Sequence, residues 1–280
     1  MQETIPQREL NDGLKVPAIG LGTYSLRGAE GAKAIAGAID IGYRLLDSAF
    51  NYENEGALGQ AVRLSSVPRE ELRLCSKLPG RRHAYKEALL TVEESLYRSG
   101  LDYYDLYLIH WPNPKRDRYV EAWQALIEAK KRGHVRSIGV CNFLPEHLDR
   151  LVAETGDAPS LNQVELHPLF QQPEQRAKDA ELGIVTESWS PLGRDHDLAG
   201  LEPIRSIAEQ VGKTPTQVVL RWHVQLGALP IPKAGSAEHQ RENLAIFDFE
   251  LSAQQMEAIG TLHRPDGWLW GQGPAEYEEF

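Results

Sequence analysis

DLYLIHWPNPKRDRYVEAWQALIEAKKRGHVRSIGVCNF, residues 105–143, holds the pattern that decides the fold. Apolar runs at 105–110 and 135–143 flank an amphipathic stretch from about Tyr119 to Arg132. Short apolar runs separated by a helix-length segment favour parallel strands joined by a helical crossover. Leu106, Leu108 and Ile109 make the first run apolar on both faces, which is typical of a sheet covered on both sides. The stretch therefore predicts a strand–helix–strand unit.

The same alternation extends over most of the chain and predicts a barrel. Further strands are predicted at AIGLGT (18–23), RLLD (44–47), LRLCSK (72–77), NQVE (162–165), GIVTESW (183–189) and ALPIP (228–232). Further helices are predicted from near Glu55, from about His83 to Ser99, and from Pro145. About eight such units indicate an α/β fold of the (β/α)₈ TIM-barrel type, although the pattern alone also suits an open doubly wound sheet.

The segment before the first unit predicts a β-hairpin. In REL-NDG-LKVPAI, Asp12-Gly13 is a typical turn pair between two short strands. We expect residues 1–17 to form a hairpin cap that plugs one end of the barrel. With no linker or repeat in its 280 residues, the chain is expected to be a single domain, 1–280, with a tail at 264–280.

Composition excludes several classes of function. A net charge of -10 gives no basic surface for nucleic acid, and no apolar run approaches the roughly 20 residues of a membrane helix. Cys75 and Cys141 stand apart, so neither a disulfide framework nor a zinc cluster is expected, and no metal is predicted. The N-terminal residues lack the apolar core of a signal peptide. We expect a cytoplasmic protein.

Ionisable residues stand where the predicted strands end. Asp47, Lys77 and His110 end three successive strands, and Tyr52 lies in the loop after Asp47. Each alone has an ordinary structural explanation, such as a helix cap, a solvated charge or a packing residue. The carboxyl ends of parallel barrel strands meet on one face, where active sites form. The four side chains are therefore expected to converge there.

These four residue types suit proton transfer to a carbonyl oxygen. A tyrosine hydroxyl has a pKa near 10 and donates a proton sluggishly at neutral pH. An ammonium about 4 Å away contributes about 4 kcal/mol at an effective dielectric constant near 20, which would lower that pKa by up to roughly three units. We therefore expect Lys77 to acidify Tyr52, Asp47 to orient Lys77, and His110 to hold the substrate oxygen.

The motifs resemble those of the aldo-keto reductase superfamily, and among its members the bacterial 2,5-diketogluconate reductase type. The matching segments, in the family's order, are AIGLGTY (18–24), GYRLLDSAFNYENE (42–55), SKL (76–78), DLYLIHWP (105–112), IGVCNF (138–143), NQVELHP (162–168), SWSPLG (188–193), IPKAGS (231–236) and EN (242–243). The resemblance implies a (β/α)₈ barrel, NADPH-dependent reduction of aldehydes and ketones, and a catalytic tetrad on Asp47, Tyr52, Lys77 and His110.

The resemblance also implies where the cofactor and substrate bind. The cofactor positions are Gly22, Thr23, Asp47, Cys141, Asn142, Gln163, Trp189, Ser190, Pro191, Leu192, Gly193, Lys233, Ala234, Ser236, His239, Glu242 and Asn243. Among them, Trp189 would stack on the nicotinamide and Lys233 would offset phosphate charge. The substrate positions are Tyr24, Tyr52, His110, Trp111, Trp268 and Trp270, the last two in the tail that lies over the site in the family.

Three residues depart from the family pattern. Many relatives have serine where Cys141 and Ala234 stand, and arginine where His239 stands. Arginine binds a phosphate through two hydrogen bonds, and neutral histidine does not. We therefore expect a weaker preference for NADPH than is usual, with some use of NADH.

One alternative of a different class is a non-catalytic relative that binds or senses nucleotides. Such proteins can keep the fold and the nucleotide site. The complete tetrad favours the enzyme, since a protein that only binds nucleotides does not need Tyr52 and Lys77 together. A small-molecule carbonyl compound is the expected partner, and the chain is expected to be a monomer.

Overall fold

Eight strands form one parallel sheet, in which neighbouring strands follow one another along the chain. The computed structural model describes residues 5–265 and 267–280. The strands are β3 (Leu21–Gly22), β4 (Leu45–Asp47), β5 (Arg73–Leu78), β6 (Tyr104–Ile109), β7 (Val135–Cys141), β8 (Leu161–Glu165), β9 (Val185–Trp189) and β10 (Leu229–Pro230). Each overlaps one of the predicted apolar runs, because a strand buried on both faces needs continuous apolar side chains.

The two edges of this sheet meet. The backbone N–H of Gly20 donates to the Pro230 oxygen at 3.0 Å, and that of Gly22 donates to the Pro232 oxygen at 3.1 Å. A Cβ on Gly22 would lie 2.8 Å from the carbonyl oxygen of Ile231, so glycine is what allows this close approach. The sheet is therefore a closed barrel, which confirms the predicted (β/α)₈ fold over the open sheet.

Helices follow the strands and cover the barrel. They are α1 (Gly28–Ile41), α2 (Glu55–Leu64), α3 (Tyr85–Ser99), α4 (Tyr119–Lys131), α5 (Pro145–Thr155), α6 (Pro173–Glu181), α7 (Glu202–Val211), α8 (Pro215–Gln225), α9 (Ala237–Leu244) and α10 (Ala253–Gly260). The helix predicted from His83 begins at Tyr85, because 80–82 form a 3₁₀ turn. Apolar residues on the inner helix faces, such as Ile35, Val92 and Trp123, are fully buried against the sheet.

The predicted hairpin is confirmed and plugs the barrel. Strands β1 (Gln7–Glu9) and β2 (Lys15–Pro17) pair antiparallel, and Gly13 takes a positive φ of 87° in the turn. Leu10 and Val16 pack into the same buried cluster as the interior-facing Leu45 and Leu106. Residues 1–4 of the predicted cap lie outside the described residues. Since the hairpin fills the end where the strands begin, the opposite end is left for a site.

Candidate active site

The carboxyl ends of the strands open into a cavity of about 780 Å³. Predicted site residues that line it are Gly22, Tyr24, Asp47, Tyr52, His110, Trp111, Asn142, Gln163, Trp189, Ser190, Pro191, Leu192, Lys233 and Trp270. They come from most of the strand ends around the ring. The described residues contain no cluster of His, Cys, Asp and Glu side chains that could hold a metal ion.

A buried ion pair lies at the base of the cavity. Adjacent strands β4 and β5 bring Asp47 and Lys77 together, and Lys77 Nζ lies 2.6 Å from each carboxylate oxygen. Nζ also donates to the Ser48 carbonyl oxygen at 2.8 Å, and the lysine is fully buried. Burial alone would lower the pKa of Lys77, but the charge of Asp47 raises it well above its ordinary value. Lys77 therefore stays an ammonium.

Tyr52 stands next to this pair. It ends the short 3₁₀ turn Phe50–Tyr52 that follows β4, and Lys77 Nζ lies 4.9 Å from the centre of its ring. Although Tyr52 is half-buried by accessible area, protein atoms crowd its phenol, and this burial raises its pKa above the ordinary 10.0. The attraction of Lys77 lowers that pKa by less, and Asp47 opposes Lys77.

The expected net lowering of the Tyr52 pKa is therefore wrong in sign. The cost of burying a phenolate, together with the charge of Asp47, outweighs the attraction of the Lys77 ammonium. With its pKa raised, Tyr52 keeps its proton throughout the neutral range. It can release that proton only to an oxygen that has become strongly basic.

His110 lies directly after β6 and faces Tyr52, with the two ring centres 5.9 Å apart. Its Nδ1 lies 2.6 Å from Oε1 of Glu279, in the tail. This short contact places a carboxylate oxygen, which can only accept a hydrogen bond when ionised, against a buried ring nitrogen. The tetrad predicted from the sequence is thus assembled, with an added carboxylate behind its histidine.

Gln163 lies between the side-chain carboxyl groups of Asp47 and Glu187. Its Nε2 donates to Asp47 Oδ1 at 3.0 Å and to Glu187 Oε2 at 2.5 Å. Burial, and then the charge of Asp47, raises the pKa of Glu187 to about 8. Since the Asp47 carboxylate can only accept, Nε2 faces it, and the amide is oriented with Oε1 directed to the cavity as an acceptor. Sequence reasoning did not identify Glu187.

Trp189 and Asn142 are hydrogen-bonded to each other at the wall of the cavity. Trp189 Nε1 donates to Asn142 Oδ1 at 2.7 Å, and Asn142 Nδ2 donates to the His110 carbonyl oxygen at 3.1 Å. Asn142 takes a positive φ of 62°, which asparagine tolerates better than most residues. These bonds fix the indole at the wall of the cavity.

Other predicted cofactor residues do not line the cavity. They are Thr23, Cys141, Gly193, Ala234, Ser236, His239, Glu242 and Asn243. Thr23 is buried and donates from Oγ1 to the Asp47 carbonyl oxygen at 2.8 Å. Ser236 caps α9 by accepting from the His239 N–H at 3.3 Å. His239, Glu242 and Asn243 lie on α9, shortly after the cavity residue Lys233 in the sequence.

The two tail tryptophans differ in position. Trp270 lines the cavity and donates from Nε1 to Asp195 Oδ2 at 3.0 Å. Trp268 packs against Phe170, with ring centres 4.6 Å apart, and is not among the cavity residues. The structure therefore separates a pair that the sequence grouped together.

Eight cavity residues were not predicted from the sequence: Ser25, Asn51, Arg194, Ile231, Pro232, Gln272, Tyr277 and Glu279. The Arg194 guanidinium lies 5.2 Å from the Tyr24 ring centre and 4.7 Å from that of Trp270. Its place directly after SWSPLG could have revealed it. Tyr277 and Glu279 belong to an irregular tail with no periodic pattern, so nothing in the sequence indicated where their side chains point.

Comparisons with known proteins agree on one family. A profile of the Aldo/keto reductase family matches residues 18–264. The chain is 53% identical over 276 residues to 2,5-diketo-D-gluconic acid reductase B of Corynebacterium sp. (strain SHS752001), covering 99% of both. It is 45% identical to methylglyoxal reductase DkgA of Yersinia pestis over 92% of both chains. A crystal structure of a Gox0644 mutant in complex with NADPH superposes with a TM-score of 0.93, at 41% identity over 98% of both chains.

Proposed function

The chain belongs to the aldo/keto reductase family, and we propose that Tyr52 donates the proton when this enzyme reduces a carbonyl compound. The enzyme is an NADPH-dependent carbonyl reductase. The observation that carries the proposal is the buried Lys77–Asp47 pair beside Tyr52 at the base of the cavity. A protein that only bound nucleotides would gain nothing from burying these charges, because burial of ions costs free energy.

The cavity wall suits NADPH at three places. Lys233 lines it and forms no ion pair among the described residues, so its charge is free for a phosphate. The Trp189 indole offers a flat face for the nicotinamide ring. The free Oε1 of Gln163 would accept from the nicotinamide carboxamide. Bound NADPH supplies the hydride, and the chain's own residues hold the carbonyl and deliver the proton.

The role of each side chain in the reaction follows from its position relative to the substrate oxygen. His110 and Tyr52 would hold the carbonyl oxygen between them at the base of the cavity. As hydride reaches carbon, the oxygen becomes an alkoxide, basic enough to take the proton from Tyr52 despite that residue's raised pKa. Lys77 then stabilises the phenolate that remains, and Asp47 keeps Lys77 in place. The proton returns to Tyr52 from solvent after the alcohol leaves.

The test is Tyr52→Phe, which removes one hydroxyl. We expect turnover to fall by about a hundredfold or more, since a positioned general acid contributes about 10²–10⁴. The Kd for NADPH should stay unchanged. Tyr97→Phe, on an exposed tyrosine of α3, is the control. NADPH consumption with a panel of aldehydes gives the rates. If Tyr52→Phe keeps most of the turnover of the unmodified enzyme, another group is the acid. If the unmodified protein binds NADPH but reduces none of the aldehydes, the non-catalytic alternative is correct.

We also propose that the substrates are small dicarbonyl compounds and keto acids. The relatives named above reduce a diketo acid and methylglyoxal by their names. Arg194 lines the cavity and forms no ion pair among the described residues, so it would attract an anionic substrate. Arg194→Gln should raise KM about tenfold for a keto acid and little for methylglyoxal. Equal changes for both would refute the charge argument.

We propose a monomeric, cytoplasmic enzyme built as one domain. The tetrad and the cavity lining come from one chain, so activity does not require a second copy. Cys75 and Cys141 are free and buried, which suits a reducing compartment. No helix within 5–265 or 267–280 is long and apolar enough to cross a membrane. Light scattering on a sizing column should give the mass of one chain, and a larger mass would refute the monomer.

A further inference from the structure

Glu279 is held in place from several sides, although it lies beyond the residues that the family profile matches. Its carboxylate accepts from Asn51 Nδ2 at 2.7 Å and from the Gly80 N–H at 2.9 Å. The Asn113 side chain binds the backbone of Glu279: Nδ2 donates to the Glu279 carbonyl oxygen at 2.8 Å, and Oδ1 accepts from the Glu279 N–H at 3.1 Å. Only 7% of Glu279 is exposed. The segment is thus fixed where it meets His110.

The contact between Glu279 and His110 restricts where the imidazole carries hydrogen. Two acceptor atoms without a hydrogen between them would repel at the 2.6 Å that separates Oε1 from Nδ1. Burial would raise the pKa of Glu279, but His110 and the hydrogen bonds from Gly80 and Asn51 hold it below its ordinary value. The carboxyl is therefore ionised, and the hydrogen belongs to Nδ1 of the ring.

We propose that Glu279 is a positioning residue for His110: it keeps hydrogen on Nδ1, so that Nε2 can donate to a substrate oxygen only when the ring is doubly protonated. Since Nδ1 is buried against Glu279 and His110 lines the cavity, Nε2 is the nitrogen left for the substrate. A neutral ring with hydrogen on Nδ1 has only a lone pair at Nε2. Carbonyl reduction should then weaken as the second ring proton is lost. The inference rests on the proposed role of His110.

The groups around this pair do not mask such a titration. Burial lowers the pKa of His83 to about 4, so it is neutral in the neutral range. Burial raises the pKa values of Tyr52, Cys141 and Tyr277, so all three stay protonated there. Further charged groups nearby are Arg81, Arg116, Lys77 and Asp47. Histidine is the residue type that changes charge in this range.

The first test leaves Glu279 unchanged. Long-range ¹H–¹⁵N spectra of protein labelled at histidine distinguish the two neutral forms of an imidazole, and His110→Ala assigns the signal. Above the titration of the ring, the unmodified protein should show His110 with hydrogen on Nδ1. Hydrogen on Nε2 would overturn the proposal.

The second test changes the carboxylate alone. In Glu279→Gln the amide can donate to Nδ1, so the form with hydrogen on Nε2 should grow, and this form donates without a second proton. In the unmodified enzyme, kcat/KM should fall about tenfold across the ring titration, the effect of losing one hydrogen bond to the substrate oxygen. In Glu279→Gln this fall should largely disappear, with an unchanged Kd for NADPH.

Glu278→Gln is the matched control. Glu278 also fixes the tail, through Oε1 that accepts from the Lys115 N–H at 2.7 Å, but it has no contact with His110. Its spectra and pH profile should match those of the unmodified enzyme. If Glu279→Gln matches them too while His110→Ala is inactive, the inference fails and the role of His110 stands. If His110→Ala keeps full activity, that role fails instead.

Discussion

Replacing Lys77 by methionine removes a buried ammonium at nearly constant volume. Its Nζ lies 4.9 Å from the centre of the Tyr52 ring. At an effective dielectric constant near 20, a charge pair at that distance is worth about 3 kcal/mol. A phenolate that forms without Lys77 loses this stabilisation, which is about two pKa units and about a hundredfold in rate. We expect kcat to fall by that factor, with little change in the Kd for NADPH.

The same substitution should also destabilise the fold, and the two effects must be separated. It leaves Asp47, which is 2% exposed, without its counter-ion. Breaking a buried pair in this way costs about 3–5 kcal/mol. The double variant Lys77→Met/Asp47→Asn leaves neither charge, so it should recover most of the stability and none of the activity.

Two assays on the three proteins decide the outcome. Urea unfolding followed by tryptophan fluorescence measures stability, and NADPH consumption measures turnover. The expected result is low turnover in both variants and a low unfolding midpoint in the single variant only. If the double variant regained the turnover of the unmodified enzyme, the ammonium would be a structural partner of Asp47 and the electrostatic reasoning would be refuted.

Three further predictions concern other residues. His239→Arg should lower the Kd for NADPH about tenfold and leave the Kd for NADH unchanged. Equal changes in titrations of both cofactors would show that residue 239 does not contact the 2′-phosphate. Glu187 has its pKa raised from 4.5 to about 8, so the folded state holds a proton that the unfolded state releases, and stability should fall as pH rises between those values. Glu187→Gln should flatten that fall in unfolding midpoints, and parallel curves would contradict it. Trp270→Ala should raise KM for carbonyl substrates, because Trp270 lines the cavity. Trp268→Ala should lower the free energy of unfolding by about 1 kcal/mol, through loss of its contact with Phe170, and should leave KM unchanged. The reverse result in kinetics and urea unfolding would exchange the roles of the two tryptophans.

Much of the architecture was readable from local patterns. The alternation of apolar runs with amphipathic stretches located all eight barrel strands, and Asp12-Gly13 located the hairpin turn. The assembly of the tetrad followed from the same pattern, because parallel strands end on one face and Asp47, Lys77 and His110 each stand at a strand end. Such features depend on residues close in sequence, which is why a single chain reveals them.

Closure of the barrel needed the folded molecule. Gly20 and Gly22 bond to Pro230 and Pro232, which are far away in the sequence. No local pattern distinguishes such a pairing from the open edge of a sheet. The count of about eight units favoured the barrel, and the resemblance to a known family strengthened that prediction, but neither located the bonds that close it.

What the amino-acid sequence determined by itself was which groups stand at the ends of the strands. The tertiary structure alone decided how those groups behave. Burial reversed the expected shift in the Tyr52 pKa, chain geometry separated Trp268 from Trp270, and the tail brought Glu279 to His110. The reason is physical: desolvation and electric fields are sums over atoms from many distant segments, so they exist only once the chain has folded.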